Sequence, residues 1–227
     1  MNPVTIGKAT LHNCDCMELL KATPDKFYDL AIVDPPYGIG IANTEQIGTG
    51  TKHKIKDWDK NTPSQEYFDE LKRISKKQII WGFNYFDGFG LKGGAIIWNK
   101  LGTHIGTRKN PPTFSECEIA FYSGATNVKM FSYTYIGNVQ GNFYQVKWTG
   151  TDRIHPTQKP IELYEWLLTN YAKQGDKILD THLGSGSHAI ACNNLGFELT
   201  ACELDKDYFD ASVKRITAAN KQIRMFD

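Results

Sequence analysis

Apolar and polar positions along the chain follow two rhythms, and the switching between them predicts an alternating α/β order. Short apolar runs bounded by turn residues predict strands near 9–13, 28–33, 78–83, 94–98, 117–122, 177–180 and 198–202. Between them, apolar residues recur at helical spacing. Tyr67, Phe68, Leu71 and Ile74 form one stripe, behind a capping-box pair Thr62/Gln65 with Pro63 at the first helical position. Lys72, Arg73, Lys76 and Lys77 read as the solvated face and C-terminal end of that helix. Leu163 or Tyr164, with Leu167, Leu168 and Tyr171, form a second stripe over 161–173. Further helices are expected from Glu18, from His188 to Leu195 with Gly196 as C-cap, and from Asp207 onward, where Phe209, Val213 and Ile216 turn inward.

Acidic residues stand where these strands end, the edge at which α/β sheets hold their chemistry. Asp15 lies just past the first strand and suits either a helix cap or a ligand for a ribose or an adenine amine. Asp34 opens the quartet Asp34-Pro35-Pro36-Tyr37. An acceptor carboxylate, two prolines without N–H groups and a stacking ring suit a planar base bearing an exocyclic amine. After Asp180, the turn Leu183-Gly184-Ser185-Gly186-Ser187 leads into a helix, and Glu203 follows Asp180 by 23 residues. That is the spacing of a nucleotide-binding βαβ unit, although the third glycine of a dinucleotide fingerprint is missing. Thr157 and Lys159, within His155-Pro156-Thr157-Gln158-Lys159-Pro160, sit ahead of a helix N-terminus, where an anion is welcome.

Composition narrows the picture only modestly. A chain of 227 residues suits one α/β domain, and 26 Lys+Arg against 25 Asp+Glu leave a net charge of +1, so whole-chain charge gives no support for nucleic-acid binding. There is no apolar run long enough to span a membrane and no signal-peptide core, and the five cysteines read as reduced thiols of a cytoplasmic protein. Cys14-x-Cys16 has no second pair, so no metal site is expected. Residues 38–57 read as a long loop whose Lys52, His53, Lys54 and Lys56 suit either phosphate contact or plain solvation. Residues 123–154, with aromatics among polar and basic groups, suit nucleic-acid contact or a small β-rich excursion.

Together, the Asp-Pro-Pro-Tyr quartet, the His-Pro-Thr-Gln-Lys-Pro run and the glycine turn resemble the DNA amino-methyltransferases that act on N6 of adenine or N4 of cytosine. Asp34-Pro-Pro-Tyr37 precedes the glycine turn by well over a hundred residues, which looks like the permuted β-class of that family. The resemblance implies a Rossmann-like, doubly wound, mostly parallel sheet in a single domain over 1–227, with S-adenosyl-L-methionine as cofactor. It further implies that Asp34, Pro35, Pro36 and Tyr37 hold the flipped base and carry the transfer, with Asp34 also beside the cofactor. Asp180, Gly184 and Gly186 would take the methionine part of the cofactor, Glu203 the ribose hydroxyls, Asp15 the adenine end, and Thr157 and Lys159 the carboxylate, with Ser185 of the same turn also at the cofactor. Two departures stand out. Asp180-Thr181-His182 replaces the family's frequent Asp-Pro-Phe, and Ser187-His188 stands where Thr-Thr often follows. His182 suits a cofactor contact or a packing role. The reaction so implied is methylation of adenine N6 in double-stranded DNA, because Asp at the first catalytic position is the commoner residue for adenine. Cytosine N4, RNA, protein glutamine, or a nucleic-acid-binding module without catalysis are the alternatives. Residues 123–154 are the expected target-recognition segment, a homodimer is expected, and a restriction-modification role fits.

Overall fold

A computed structural model describes residues 2–43, 54–86, 90–101, 115–136, 139–142, 145–148 and 153–223. In chain order the strands are β1 (Val4–Ile6), β2 (Ala9–His12), β3 (Tyr28–Val33), β4 (Ser75–Trp81), β5 (Gly94–Asn99), β6 (Cys117–Tyr122), β7 (Val128–Ser132), β8 (Thr134–Ile136), β9 (Val139–Asn142), β10 (Gln145–Trp148), β11 (Lys177–Asp180) and β12 (Glu198–Cys202). The α-helices are α1 (Cys16–Ala22), α2 (Gln65–Ile74), α3 (Ile161–Tyr171), α4 (Ser187–Leu195) and α5 (Lys206–Ile223). Nine strands share one sheet in the order β1-β2-β12-β11-β3-β4-β6-β5-β7. It is parallel from β2 through β12, β11 and β3 to β4, and antiparallel where β6 joins β4 and β5. This is the Rossmann-like α/β fold that the family resemblance implies, built on the α/β alternation that the residue pattern predicts.

Alternation along β3 shows why the sheet is covered on both faces. Leu30 and Ile32 enter a core shared with Leu163 and Leu167 of α3, Ala189 of α4 and Ile216 of α5. Ala31 and Val33 point the other way, into a core with Leu20 of α1 and Tyr67, Phe68, Leu71 and Ile74 of α2. A strand buried on both faces must be apolar along its buried length, which is the pattern of Leu30 to Val33, while Asp29 at the open end pairs with Lys76. Because β2, β3, β11 and β12 run parallel, their carboxyl ends emerge along one edge. That edge gathers Asp15, Asp34, Asp180 and Glu203.

Several local expectations need correction. Helix α2 begins at Gln65 with Ser64 as its N-cap, whose Oγ accepts from Tyr67 N at 3.4 Å. Gln65 bonds forward to Asp69 at 2.8 Å instead of back to a cap at Thr62. Lys76 and Lys77 belong to β4, not to the end of α2, because the chain passes directly from helix to strand at Ser75. Ser75 ties back to Leu71 O at 2.5 Å, and Tyr28 pairs with Ser75 to open the β3–β4 ladder. Residues 134–136, 139–142 and 145–148 form a small antiparallel sheet in the order β10-β9-β8, the β-rich alternative. Lys52 and His53 lie outside the described residues, as do parts of the two segments 38–57 and 123–154.

Candidate active site

The chemistry-bearing turn follows β3 directly. Buried Asp59 holds it: one carboxylate oxygen accepts from Tyr37 N at 2.8 Å and Gly38 N at 2.9 Å, the other from Ile41 N at 2.8 Å. The Tyr37 ring lies stacked on Tyr85, with centroids 5.0 Å apart and planes 13° apart, and edge-on to Phe86. Gly82 (φ +71) makes that seat, since a Cβ there would come within 2.1 Å of Tyr37 Cε1. The Tyr37 hydroxyl donates to Asp34 Oδ1 at 2.6 Å, and the Lys159 ammonium pairs with Asp34 Oδ2. Lys159 also reaches Glu118 Oε2 at 3.1 Å, and Lys100 reaches Glu118 Oε1 at 3.2 Å. Two carboxylates and two ammoniums therefore form one chain of charge through the site.

Burial decides the protonation behaviour of this cluster. It pushes the Asp34 carboxyl upward, with the Glu118 charge adding to the rise and Lys159 and Tyr37 holding it back. Burial also pushes Glu118 upward, but Lys159 and Lys100 outweigh it and leave that carboxyl below its usual range. Lys159 loses from burial and gains more from Asp34 and Glu118, so its ammonium is firmly protonated. Tyr37, buried and beside Asp34, is held well above the usual phenol range and remains a donor.

The second half is built on the turn between β11 and α4. Gly184 N donates to Glu203 Oε2 at 2.9 Å, and Asp205 N donates to Glu203 Oε1 at 2.9 Å. Burial raises the Glu203 carboxyl to about 6 despite those two bonds. Asp180 is buried, accepting from His182 N at 3.0 Å and meeting His188 Nδ1 at 2.9 Å, while the His188 ring stacks on Tyr164. Gly186 (φ +76) serves packing: a Cβ there would lie 2.7 Å from Ile216 Cδ1 of α5. From α5, Arg215 donates to Ser185 O at 2.8 Å and Ser187 Oγ at 2.9 Å, and Ser187 Oγ donates to Lys159 O at 2.7 Å. The glycine turn, the approach to α3 and the last helix are thus one hydrogen-bonded unit.

Two cavities open on these groups. One of about 570 Å³ is lined by Asp15, Asp34, Trp58, Thr157, Lys159, His182, Gly184, Ser185, Glu203 and Tyr208, among others. The other, of about 300 Å³, is lined by Asp34, Pro35, Pro36, Tyr37, Asp59, Tyr85 and Glu118, among others. Asp34, Pro36, Trp58, Thr157 and Lys159 face both, so the two spaces meet at Asp34. Both volumes fall within the range of small-molecule sites.

The sequence candidates divide accordingly. Asp15, Thr157, Lys159, His182, Gly184, Ser185 and Glu203 come together around the larger cavity, while Asp180 and Gly186 do not line it. Asp15 caps α1, accepting from Met17 N at 2.8 Å, and lines the cavity too, so its two readings coexist. Burial holds the His182 imidazole down at about 4, which makes it a neutral ring edge-on to Tyr67. Lys56 does not project into solvent: it pairs with Asp205 at 2.5 Å and lies 4.5 Å over the Tyr208 ring, and Lys54 pairs with Asp207 at 3.0 Å. Sequence reasoning missed Glu118, Asp59, Trp58 and Arg215. Glu118 is the second residue of β6 and stands two positions after Glu116, so no local pattern marks it.

Comparison with known proteins agrees with this fold. The family model described as DNA methylase, for N6 and N4 methylation, matches residues 28–214. The Type II methyltransferase M2.DpnII of Streptococcus pneumoniae is 26% identical, covering 95% of this chain and 92% of its own. The M1.HpyAVI–SAM complex superposes with a TM-score of 0.56 at 19% identity, covering 92% of this chain and 98% of that one. The PvuII DNA methyltransferase (cytosine-N4-specific) superposes with a TM-score of 0.60 at 13% identity, covering 96% and 93%.

Proposed function

The chain belongs to the DNA methylase family of N6 and N4 amino-methyltransferases, and from that premise we propose that it transfers a methyl group from S-adenosyl-L-methionine to N6 of adenine in double-stranded DNA. The observation that carries the reading is the meeting of two cavities at Asp34. One is bordered by Glu203, Asp15 and the glycine turn, the other by Pro35, Tyr37 and Tyr85.

The larger cavity suits the cofactor by its donor set. Glu203 offers acceptor oxygens for a ribose diol, Asp15 an acceptor for an amine, and Trp58, His155, Tyr208 and His182 ring surfaces for an adenosine. Thr157 and Ser185 offer hydroxyls at the same cavity for the methionine end. Lys159, being engaged with Asp34 and Glu118, acts on the catalytic carboxylate in the geometry described. The cofactor supplies an electrophilic methyl on a sulfonium.

The adenine amine is a poor nucleophile while its lone pair is conjugated with the ring. Asp34 and the Pro35 carbonyl accept its two hydrogens and favour a pyramidal nitrogen, and Tyr37 and Tyr85 provide the stacking surface that holds the base outside the duplex. The proton shed after transfer passes to Asp34 or to water. Asp180 and Gly186 serve from behind, by holding His182 and by letting the turn pack on α5.

Adenine is preferred over cytosine because Asp occupies position 34, the commoner residue for adenine in the family that the motif resembles. The β8–β10 excursion within 123–154 is the proposed target-recognition element, and restriction-modification the proposed setting. Dimerisation is decided by sedimentation: a monomer mass at assay concentration removes it. The main test is transfer of labelled methyl to unmethylated duplex DNA with nucleoside analysis, alongside Asp34→Ala. Labelled N6-methyladenine that vanishes in the variant is the expected result. N4-methylcytosine overturns the base assignment, and no label in DNA overturns the substrate.

A further inference from the structure

Asp34 and Glu118 come from different elements, yet both grip one buried ammonium. Asp34 follows β3, Glu118 lies on β6, and Lys159 belongs to the segment leading into α3. The Lys159 side chain is only 3% exposed and Glu118 24% exposed, so neither charge is a solvated surface group. Glu118 borders the smaller cavity together with Asp34 and Lys159, at the place assigned above to the base. A carboxylate that is largely buried near the start of a strand is costly unless paired, and this one is paired twice.

We propose that Glu118 is a positioning residue for methyl transfer, which shares the Lys159 ammonium with Asp34 and thereby keeps Asp34 both ionised and basic. The proposal rests on the amino-methylation reading and adds to it the group that sets the strength of the catalytic acceptor. With Lys159 alone, Asp34 would be locked in a closed one-to-one ion pair, a weak acceptor for the amine hydrogens and a weak base for the departing proton. With Glu118 alone, two carboxylates would face each other across a largely buried site and one would take up a proton. Sharing one cation between two anions avoids both extremes, and Lys100 balances the remaining charge from the end of β5.

The groups that face Asp34 come from each element around it: the Tyr37 hydroxyl from its own turn, Lys159 from the approach to α3, Tyr164 from α3 and Glu118 from β6. Tyr37 and Tyr164 are held well above the ordinary phenol range by burial and do not change charge near neutrality. The opposing influences on Asp34 are therefore Lys159 and Glu118.

This gives two variants with opposite signatures. In Glu118→Gln the neighbouring anion is removed, so Asp34 ionises at lower pH. In Lys159→Met the neighbouring cation is removed, so Asp34 ionises at higher pH. Each shift is expected to reach about one pH unit or more. The Asp34 titration is read directly by NMR of protein labelled in its aspartate carboxyl carbons, with Asp34→Asn to assign the signal. In parallel, single-turnover methyl transfer is followed against pH at saturating S-adenosyl-L-methionine and duplex DNA. The expected result is an acid limb displaced downward in Glu118→Gln, with a maximal rate reduced at least tenfold. If Lys159→Met does not fold, the isosteric Glu118→Gln decides alone. An Asp34 titration that does not move in Glu118→Gln overturns the proposal, even where the rate falls, because a structural role alone would lower the rate without moving the titration. A wild-type protein that transfers no methyl to DNA overturns the amino-methylation reading instead, while the titration still decides the charge sharing.

Discussion

Removing the Asp59 carboxylate tests whether the turn after β3, proposed to carry the transfer, is held from outside itself. Asp59 accepts from three backbone N–H groups, those of Tyr37, Gly38 and Ile41. Bonds from N–H to a charged acceptor contribute about 1.5–3 kcal/mol each, and three that share one carboxylate add incompletely. Asp59→Ala is therefore expected to cost about 3–5 kcal/mol, and Asp59→Asn about half of that, because an amide places a donor against at least one of the N–H groups. Typical domains have about 5–15 kcal/mol in hand, so the asparagine variant remains folded at 25 °C and is the one to assay. Asp59 borders the smaller cavity but not the larger. Cofactor affinity by calorimetry should accordingly change less than threefold, while displacing Tyr37 and Asp34 by about 1 Å should lower kcat about a hundredfold. Urea denaturation gives the stability, and steady-state methyl transfer to duplex DNA gives kcat. An Asp59→Asn protein with wild-type midpoint and wild-type kcat would refute the argument, and a loss of cofactor affinity equal to the loss of kcat would show that the turn is not held locally.

Three further outcomes are expected. The Glu203 carboxyl, raised to about 6, protonates as pH falls through that value and then loses acceptor capacity for a diol, so cofactor affinity should fall up to tenfold per unit below pH 6 and be level above pH 7. Calorimetry at pH 5, 6 and 7.5 checks this, and in Glu203→Gln the slope should disappear along with at least tenfold of the affinity. Gly82→Ala places a methyl on the Tyr37 ring at a positive φ, and should cost at least about 1–3 kcal/mol and ten times or more in kcat with cofactor binding retained; wild-type kinetics would show that the ring moves freely. Arg215→Met removes the bonds that pin Ser185 and Ser187, and should destabilise the protein by about 1.5–3 kcal/mol in urea melts and weaken cofactor binding, although Arg215 borders neither cavity.

What was legible in the chain was what local pattern encodes. The apolar run of β3, the inner stripe of α2 and the glycine turn with its acid at the end of the following strand are each written within about two dozen residues. Their strand ends then converge because parallel strands share a carboxyl edge. What was not legible depends on contacts between remote segments. Nothing near Glu118 announces Lys159, and nothing in Asp57-Trp58-Asp59 announces that its last carboxylate closes back on Tyr37. The misplaced cap of α2 has a similar cause: Thr62 and Ser64 both suit the role, and the geometry that selects Ser64 is set by the fold. Lys54 and Lys56 carried the charge of a phosphate site, but the acids that occupy them lie on the turn into α5.

The pairing of β2 with β12 has a consequence for how the molecule comes into being. Asn13 Nδ2 bonds to Glu203 O at 2.8 Å across 190 residues of sequence, beside a ladder that matches Ala9 with Leu199 and His12 with Cys202. On a ribosome, the first of these strands waits for nearly all the others to be made before its partner exists. Asp15 and Glu203 therefore become neighbours only after β12 has been made. A small molecule bound between them would fasten the seam shut, favouring the state in which β2 and β12 are paired over every state in which they are apart.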